Sequence, residues 1–589
     1  MRPNSENPSQ TKQNDNRSGI FPLRILLLLT IAEGLCAVLL TFLNPSEPKT
    51  TLYFGYSAAR LILGGITLAL VCVLIAGCVY LYRNPSRRQK FAEKLDHFFR
   101  QGDRLFFSLL FFAAGVLLSA WCLVFSWLFI PANLRPQILW AMLFFAQSLL
   151  LLRHTYQREL RAGNYLRKYR LLPRLKDLSL KQRRILLCLA ILSILYILLL
   201  LPANINGTQD WAAFQHYGGG EYVIYPILMD VMRDGETFSA TLYHRFIYED
   251  YHYGYPFYAW SALVLTPVKI LTGEAFPDQI QINLPLLRIL VSVLPVILAC
   301  LIIVWLFTRF QHWLLSPAVF LFLLFAPGTL QNNQGFWHPD GLNLLFVCLV
   351  LYFLQRDRLR FGRNFYLAAV FTGLSAAIRL YGFFFVLAIA VYLLIGLLKK
   401  TLTVPLALRR GLIYTLLMAA VIVLANPFLF RADARGRMIE IMQEKSGEMA
   451  EGYAGDYDPR NDYRPGWDAW YPAFEDHYTE MFCFFFLIAS MIFACFYGEQ
   501  RLTHLLTLCW FVMIGGYLIF FVAVKSTQYV LPMLLPLMGT GFSLPLALSS
   551  GKTPAWMRNK VIHKGAWLLS TGIFLAQLLI NLDKIRPRF

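Results

Sequence analysis

The sequence predicts an all-α polytopic membrane protein. Of its 589 residues, 57% are hydrophobic and only 15% are charged, whereas soluble proteins carry about 25% charged residues. Its many apolar runs are about 20 residues long, the length that a helix needs to cross a bilayer, and they do not alternate as the strands of a membrane barrel would. Because the bilayer core offers the backbone no water, we expect these spans to be helices.

The apolar runs predict about 14 to 15 transmembrane helices. The candidate spans are 22–43, 59–82, 105–129, 138–153, 184–203, 284–308, 313–330, 341–355, 365–380, 382–398, 411–430, 479–497, 505–524, 528–548 and 566–582. The shorter apolar piece 257–273 contains Pro267. It is therefore predicted to lie in the membrane interface or to re-enter the membrane rather than to cross it.

Three regions follow from this pattern. Residues 1–20 are polar and rich in Asn, Ser, Gln and Pro, which predicts a disordered tail. Residues 21–180 are predicted to form a separate module of four spans, in which nothing indicates chemistry. Residues 181–589 are predicted to form a second membrane module that could hold a functional site, because the two large polar loops, 204–283 and 431–478, lie there.

Basic residues recur in alternate loops and predict the orientation. Lys and Arg cluster after the second, fourth, eighth and tenth candidate spans. Cytoplasmic loops carry an excess of these residues, and all four clusters fall on one side if the N-terminus is cytoplasmic. The formal net charge of +20 is then explained without a nucleic-acid partner. The side of the C-terminus stays open, because Lys584, Arg586 and Arg588 would lie outside if 566–582 crosses.

The loop 204–283 is an acidic stretch in a basic chain, and this orientation puts it on the outer, periplasmic or lumenal face of the membrane. Its acids include Asp210, Glu221 and Asp230. Glu221 follows three glycines, which allow a ligand to approach closely. A carboxylate there can act as a general base toward a hydroxyl or hold a cation. The structural alternative is an acid that caps a helix in a solvated loop.

The end of this loop interleaves acids with tyrosines around Asp250, His252 and Tyr255. Such a run suits carbohydrate, because sugar faces are apolar and sugar hydroxyls need acceptors. It suits the membrane interface equally well. At the outer mouth of another span, His338 can hydrogen-bond a phosphate or a sugar hydroxyl, and Asp340 can cap the helix that follows.

Two cations are predicted near the outer leaflet. Arg379 lies inside an apolar stretch, where an arginine is costly and usually faces a cavity or an anion. Lys525 lies at an outer membrane boundary, where the alternative is a side chain that reaches out to the headgroups. Together they suit a lipid-linked phosphate.

No metal site is predicted. The ten cysteines fall in or at the edges of apolar runs and form neither a metal-binding nor a disulfide pattern. His338 has no second ligand at a recognisable spacing, and the Asp-x-Asp at 456–458 is short and lacks the glycine spacing of a calcium loop.

These motifs together resemble the multi-spanning GT-C glycosyltransferases, in the branch that contains protein O-mannosyltransferases and the lipid A aminoarabinose transferase. The resemblance covers about residues 183–548. It is carried by Glu221-Tyr222, by the run Asp250-Tyr251-His252-Tyr253-Gly254-Tyr255-Pro256, by His338-Pro339-Asp340-Gly341 and by Arg379-Leu380-Tyr381-Gly382. Many relatives carry two adjacent acids where Gly220 precedes Glu221 here. This departure leaves Asp210 and Asp230 as rival catalytic acids and leaves a divalent metal open.

The resemblance implies an inverting glycosyltransferase of the cell envelope, integral to a bacterial inner (plasma) membrane, with a periplasmic active site. The donor would be a polyprenyl-phosphate-linked sugar, and the acceptor a lipid, a glycan or a protein. Glu221 would be the base, with Asp210 and Asp230 as alternatives, and Arg379 and Lys525 would stabilise the departing phosphate. The residues that would bind substrate are Asp250, His252, Tyr255, His338 and Asp340.

A transporter or flippase of a lipid-linked sugar is the competing interpretation. Such a protein would place broken helices and charges at mid-membrane and show an internal repeat; the sequence shows no repeat. The enzyme interpretation expects Glu221, Asp230, Arg379 and Lys525 to converge on one outer-facing cavity.

Overall fold

The computed structural model describes residues 23–42, 52–53, 56–100, 108–119, 136–161, 178–217, 220–248, 251–452 and 463–586. Within those ranges the regular structure is helical, apart from two-residue strands β1 (Leu52–Tyr53) and β2 (Tyr56–Ser57), which pair antiparallel with Leu52 opposite Ser57. The predicted helical membrane architecture is confirmed at this level. The predicted tail, 1–20, lies outside the described residues.

The chain divides into two compact units. One contains 1–172 and 236–242, and the other contains 173–235 and 243–589. In the first unit the helices up to residue 161 are α1 (Leu23–Phe42), α2 (Ala58–Arg83), α3 (Pro85–Arg100), α4 (Ser108–Ser119) and α5 (Pro136–Arg161). Helix α1 packs against α2 and α5, and the Gln147 side-chain amide donates to the Thr30 hydroxyl over 2.9 Å.

The remaining helices follow in chain order. They are α6 (Leu180–Ile205), α7 (Trp211–Tyr217), α8 (Gly220–Met232), α9 (Phe238–Phe246), α10 (Tyr255–Thr272), α11 (Ile280–Thr308), α12 (Leu315–Leu324), α13 (Pro327–Asn333), α14 (Asp340–Asp357), α15 (Arg363–Ile378), α16 (Val386–Leu398), α17 (Val404–Ala425), α18 (Ala432–Glu451), α19 (Trp467–His477), α20 (Met481–Tyr497), α21 (Arg501–Phe521), α22 (Thr527–Met538), α23 (Ser543–Leu548) and α24 (Lys560–Ile585). Short 3-10 turns lie at Gly273–Asp278, Leu380–Phe385, Pro427–Phe430 and Ala555–Arg558.

Eight helices in the described part of the chain are long and apolar enough to cross a membrane, and up to ten if two bent pairs each count as one span. One bent pair is α12 and α13, which meet at 62° within the predicted span 313–330. The break falls at Ala326, which is extended (ψ 131°), because the proline after it disfavours a helical conformation. The piece 257–273 forms α10, which is not among the eight.

Hydrogen bonds between helices mark two opposite ends of the second unit. At the first, Arg288 donates to the Asn204 carbonyl over 2.9 Å, and the Asn204 side chain donates to the Asn333 carbonyl over 3.0 Å; we call it the site end. At the other, the Gln182 side chain donates to the Arg309 carbonyl over 2.9 Å; we call it the opposite end. Helix α11 carries a π-helical turn, Arg288–Val293, a feature common at functional sites.

Glycines allow three chain segments to meet closely at the site end. A Cβ on Gly254 would lie 1.6 Å from the Ala377 carbonyl oxygen, one on Gly341 would lie 2.5 Å from that of Ser292, and one on Gly382 would lie 2.1 Å from that of Thr372. Any larger residue at these positions would collide with backbone. The first contact joins the start of α10 to the end of α15, the second joins the start of α14 to the π-helical turn of α11, and the third packs the turn after α15 against that helix.

Candidate functional site

A cavity of about 360 Å³ opens at the site end, within the size range of small-molecule sites. Its wall combines cations, tyrosines and apolar side chains. The polar lining residues are His252, Tyr253, Arg379, Tyr381, Lys445, Tyr517 and Tyr529, and the apolar ones are Val223, Ile224, Met449, Leu518 and Val522, with Gly220 at one edge. No residue in this lining is acidic.

Arg379 reaches the cavity because its helix ends there. Helix α15 ends at Ile378, and Arg379 is extended (φ −147°, ψ 141°) before the 3-10 turn Leu380–Phe385. Its side chain is only 15% exposed. The guanidinium lies 5.0 Å from the ring centre of Tyr253 and 5.3 Å from that of Tyr529, and such contacts stabilise a partly desolvated cation.

Asp340 and His338 lie directly behind Arg379. Arg379 Nη1 is 3.1 Å from Asp340 Oδ1, and Arg379 Nη2 is 3.1 Å from His338 Nε2. His338 Nδ1 contacts Asp340 Oδ2, and the Tyr253 hydroxyl is 2.7 Å from His338 Nε2. Asp340 is the first residue of α14, after the N-cap residue Pro339, and neither of its carboxylate oxygens accepts a hydrogen bond from a backbone N–H. The helix-capping alternative is thus not observed.

These contacts fix the tautomer of His338. A guanidinium can only donate hydrogen bonds, so Nε2, which faces Arg379, is the accepting nitrogen. The ring proton is therefore assigned to Nδ1, where it faces the Asp340 carboxylate. Burial lowers the pKa of His338, against the raising effect of Asp340, which also favours the neutral ring. We call this pair the Asp340–His338 dyad; its accepting nitrogen, Nε2, faces both the Arg379 guanidinium and the Tyr253 hydroxyl.

Contacts from the backbone of His338 and the side chain of Trp337 hold the dyad in position. The His338 N–H donates to the Ser292 hydroxyl over 2.9 Å. The ring N–H of the preceding residue, Trp337, donates to the Ser261 hydroxyl over 3.2 Å, and its ring stacks on Phe257 at 5.1 Å. The loop between α13 and α14 is thus anchored on α10 and α11.

Glu221 is buried in an ion pair rather than exposed to the cavity. Its carboxylate accepts from Arg288 Nε over 3.0 and 3.2 Å, and it also contacts Arg288 Nη2 and the Trp337 backbone N–H. Burial raises the pKa of Glu221, while the hydrogen bonds and charge of Arg288 oppose that rise. Because Trp337 precedes His338, one short loop connects Glu221 to the dyad.

The two rival acids lie elsewhere. Asp210 is exposed and caps α7, since its carboxylate accepts from the Ala213 N–H over 2.7 Å. Asp230 lies 3.1 Å from Arg233 and 3.5 Å from His244 and lines a different, larger hollow between α8 and α10.

Lys525 and Tyr255 do not line the cavity. The Lys525 ammonium donates to the Arg464 carbonyl over 2.6 Å. Tyr255 begins α10, where its N–H donates to the Asn426 side chain over 2.9 Å, and burial raises its pKa. Asp250 lies outside the described residues.

The expected convergence therefore needs correction. Of Glu221, Asp230, Arg379 and Lys525, Arg379 is the one that lines the cavity. Glu221 is instead paired with Arg288, Asp230 with Arg233, and Lys525 with a carbonyl. The residues that meet around Arg379 are His252, Tyr253, His338, Asp340 and Lys445.

Sequence reasoning missed two cations. Arg288 lies in an apolar run, so the rule that drew attention to Arg379 also applies to it: a charge at membrane depth needs a partner. Lys445 is on α18 in the predicted outer loop 431–478, where it pairs with Glu448 three residues on. No local pattern distinguishes it from other loop charges.

Within the described ranges, no three His, Cys, Asp or Glu side chains lie close enough together to hold a metal ion. No family model, no curated protein and no solved structure matches the chain. The resemblance to GT-C glycosyltransferases therefore rests on the motifs alone.

Proposed function

We propose that the chain transfers a sugar from a polyprenyl-phosphate-linked donor to an acceptor hydroxyl at the site end, which the charge pattern predicts to be periplasmic. One observation carries the proposal. A largely buried arginine lines a tyrosine-rich cavity and is backed by an Asp–His pair whose accepting nitrogen faces a cavity tyrosine.

The cavity fits the three chemical parts of such a donor. Arg379 and Lys445 suit the phosphate, since a guanidinium has five N–H donors and can hold Asp340 while it donates to phosphate oxygens. The tyrosines suit a sugar, which offers an apolar face and hydroxyls. The apolar wall of Val223, Ile224 and other residues suits the start of the lipid chain.

Proton transfer would pass from the acceptor through Tyr253 to His338. As the acceptor oxygen attacks the anomeric carbon, its proton moves to the Tyr253 oxygen and the Tyr253 proton moves to His338 Nε2. The bond between the anomeric carbon and the phosphate oxygen breaks, and its electron pair leaves with the phosphate. Asp340 stabilises the imidazolium that forms, and Arg379 stabilises the new phosphate charge. Attack opposite the leaving group inverts the anomeric centre.

Glu221, the base that the family resemblance implies, stands as the alternative. Its carboxylate already accepts hydrogen bonds from Arg288 and Trp337, and it does not line the cavity. Glu221 would have to give up the buried charge of Arg288 to take a proton, whereas His338 Nε2 would have to give up only the Arg379 N–H, which can turn to the donor phosphate.

The test is transfer of radiolabelled sugar in proteoliposomes from a panel of polyprenyl-phosphate sugars, for wild type and Arg379→Gln. We expect transfer by wild type and a rate about 10² to 10³ times lower in the variant, as for loss of one charge-stabilising donor. Arg233→Gln, which removes an exposed arginine at the same end, is the matched control. Movement of sugar-lipid across the bilayer without transfer would instead identify a flippase.

A further inference from the structure

A second pocket, of about 280 Å³, lies at the opposite end of the second unit, where α11 and α14 finish. It is lined by seven residues, of which four are arginines, Arg309, Arg356, Arg358 and Arg360, and none is acidic. The aromatic side chains of Trp305 and Tyr352 complete the wall with Gln355. This pocket belongs to no part of the proposed transfer reaction.

The backbone at two of these arginines is left-handed. Arg309 follows α11 with φ 54°, and Arg358 follows α14 with φ 52°. Helices commonly end in this conformation, but glycine usually occupies the position because a Cβ is strained there. At both positions the chain has an arginine, although a glycine would remove the backbone strain.

Helix dipoles explain only part of this arrangement. A cation near a helix C-terminus is favourable, and one arginine per helix would satisfy that preference. Four around one concavity repel each other, and burial together with Arg358 lowers the pKa of Arg309. The nearest acid in sequence, Asp357, is occupied: it accepts from the N–H groups of Phe361 and Gly362 and from the Tyr392 hydroxyl.

We propose that this four-arginine pocket binds a phosphate-bearing anion. Planar guanidinium groups match phosphate oxygens two at a time, and the Arg309 guanidinium, 5.5 Å from the Trp305 ring centre, is held at the wall by that ring. The ligand is an anionic lipid headgroup or a free phosphate. Both are available at this end, which the sequence predicts to be cytoplasmic.

Binding to the purified full-length protein tests the proposal in two arms. Native mass spectrometry counts phosphatidylglycerol retained from mixed phosphatidylglycerol and phosphatidylcholine nanodiscs, and calorimetry in detergent measures inorganic phosphate at constant ionic strength. We expect Arg358→Gln/Arg360→Gln, which changes two exposed side chains, to weaken binding about tenfold or more, because hydrogen bonds to charged groups contribute that much. Arg358→Lys/Arg360→Lys keeps the positive charge but not the paired N–H donors of the guanidinium, so it should lose part of the binding affinity.

The control is Arg184→Gln/Arg409→Gln, which removes two exposed arginines outside the pocket. Loss of lipid retention in the pocket variant alone identifies a headgroup site, and loss of phosphate binding alone identifies a free phosphate. Binding of neither probe, or equal loss in the control, would overturn the proposal. Equal thermal stability of the two double variants excludes misfolding as the cause.

Discussion

At the scale of single residues, the buried acids Glu221 and Asp340 have different partners and therefore suit different roles. Glu221 accepts hydrogen bonds from Arg288 and from a backbone N–H, and it lies away from the cavity. Asp340 holds His338 and Arg379, both of which connect to the cavity wall. Glu221 is therefore suited to holding the loop before α14, and Asp340 to orienting the groups that react.

Glu221→Gln should destabilise the protein, because it leaves the Arg288 charge buried without a counter-charge. Removing one partner of a buried ion pair costs about 3–5 kcal/mol. A lower Tm in detergent micelles would measure this, and Asp230→Asn, at an exposed ion pair, should change the stability by about 1 kcal/mol or less. The double variant Glu221→Gln/Arg288→Met should be less unstable than Glu221→Gln. An unchanged Tm in Glu221→Gln would show that the acid is not structural and would favour it as the base.

The proton acceptor predicts how transfer depends on pH. Neutral His338 is the reactive form, and burial lowers its pKa below the ordinary value. The ring therefore stays neutral down to a pH below about 6.5, and kcat/KM should be flat near neutrality and fall on the acid side below that value. Arg379, Asp340 and Tyr253 are the charged and titratable groups that face the ring. A rate that rises as the pH falls through 6.5 would contradict a neutral histidine.

Part of the candidate site could be recognised from the types of residue in the sequence. Arg379 stood out because a charge at membrane depth needs a partner. His252 stood out by its run of acids and tyrosines, and His338 and Asp340 by their position at the mouth of a span. All four lie at or directly behind the cavity. The different roles of Asp340 and Glu221 depend on tertiary contacts. Arg288, the partner of Glu221, lies 67 positions away in the sequence. No local pattern specifies which cation an acid will meet.

At the scale of elements, the site depends on close backbone contacts. Gly254 precedes α10 and packs on the Ala377 carbonyl at the end of α15; its own N–H donates to the Ile378 carbonyl over 3.1 Å. This contact joins the residue after Tyr253 to the residues before Arg379. It thus fixes the distance between the tyrosine and the arginine.

Gly254→Ala should disturb both stability and transfer. The added methyl would overlap the Ala377 carbonyl, and forcing extra volume into a packed site costs about 1–3 kcal/mol. Gly565→Ala is the control, because nothing lies within 4 Å of its Cβ position; in α24 it should be neutral or slightly stabilising. Tm and transfer rate measured together check this. Full activity in Gly254→Ala would mean that the contact does not position the site.

Of the two sharp bends between helices, one could be predicted from the sequence and the other could not. The break at Pro327 follows from its sequence, although the predicted span 313–330 was drawn as one piece. The 97° bend between α19 and α20 has no proline or glycine at the break, His477 to Met481. Residues at the break contact distant helices: the Glu480 N–H donates to the Gln577 side chain and the Tyr478 hydroxyl to the Thr527 carbonyl, each over 2.8 Å. The apolar pattern does not contain such contacts.

At the scale of the whole molecule, composition was sufficient for the helical membrane class but not for the number of spans. About 14 to 15 were predicted, and eight to ten are found among the described residues. Long apolar runs leave the backbone no alternative to helices, and eight of the described helices are long enough to cross. The arrangement of those helices depends on buried contacts such as Asn204 with Asn333. These polar types occur throughout the chain, so the pairing was not predictable.

The orientation of the chain in the membrane can be tested by cysteine labelling. On intact cells, a membrane-impermeant maleimide should label Asp210→Cys at the site end and label Arg409→Cys only after permeabilisation, since Lys and Arg excess marks the cytoplasmic side. Both variants are made in a chain whose ten native cysteines are changed to serine or alanine. The opposite labelling pattern would put the cavity in the cytoplasm, away from a periplasmic acceptor.

The most direct measurement is single-turnover sugar transfer by His338→Gln and Glu221→Gln, with donor binding measured on the same preparations. We predict that His338→Gln folds, binds the donor and transfers about 10² to 10⁴ times more slowly, the usual contribution of a general base. Glu221→Gln should lose transfer in proportion to its loss of folded protein. Wild-type transfer by folded His338→Gln, with transfer abolished in folded Glu221→Gln, would contradict the dyad and make Glu221 the base.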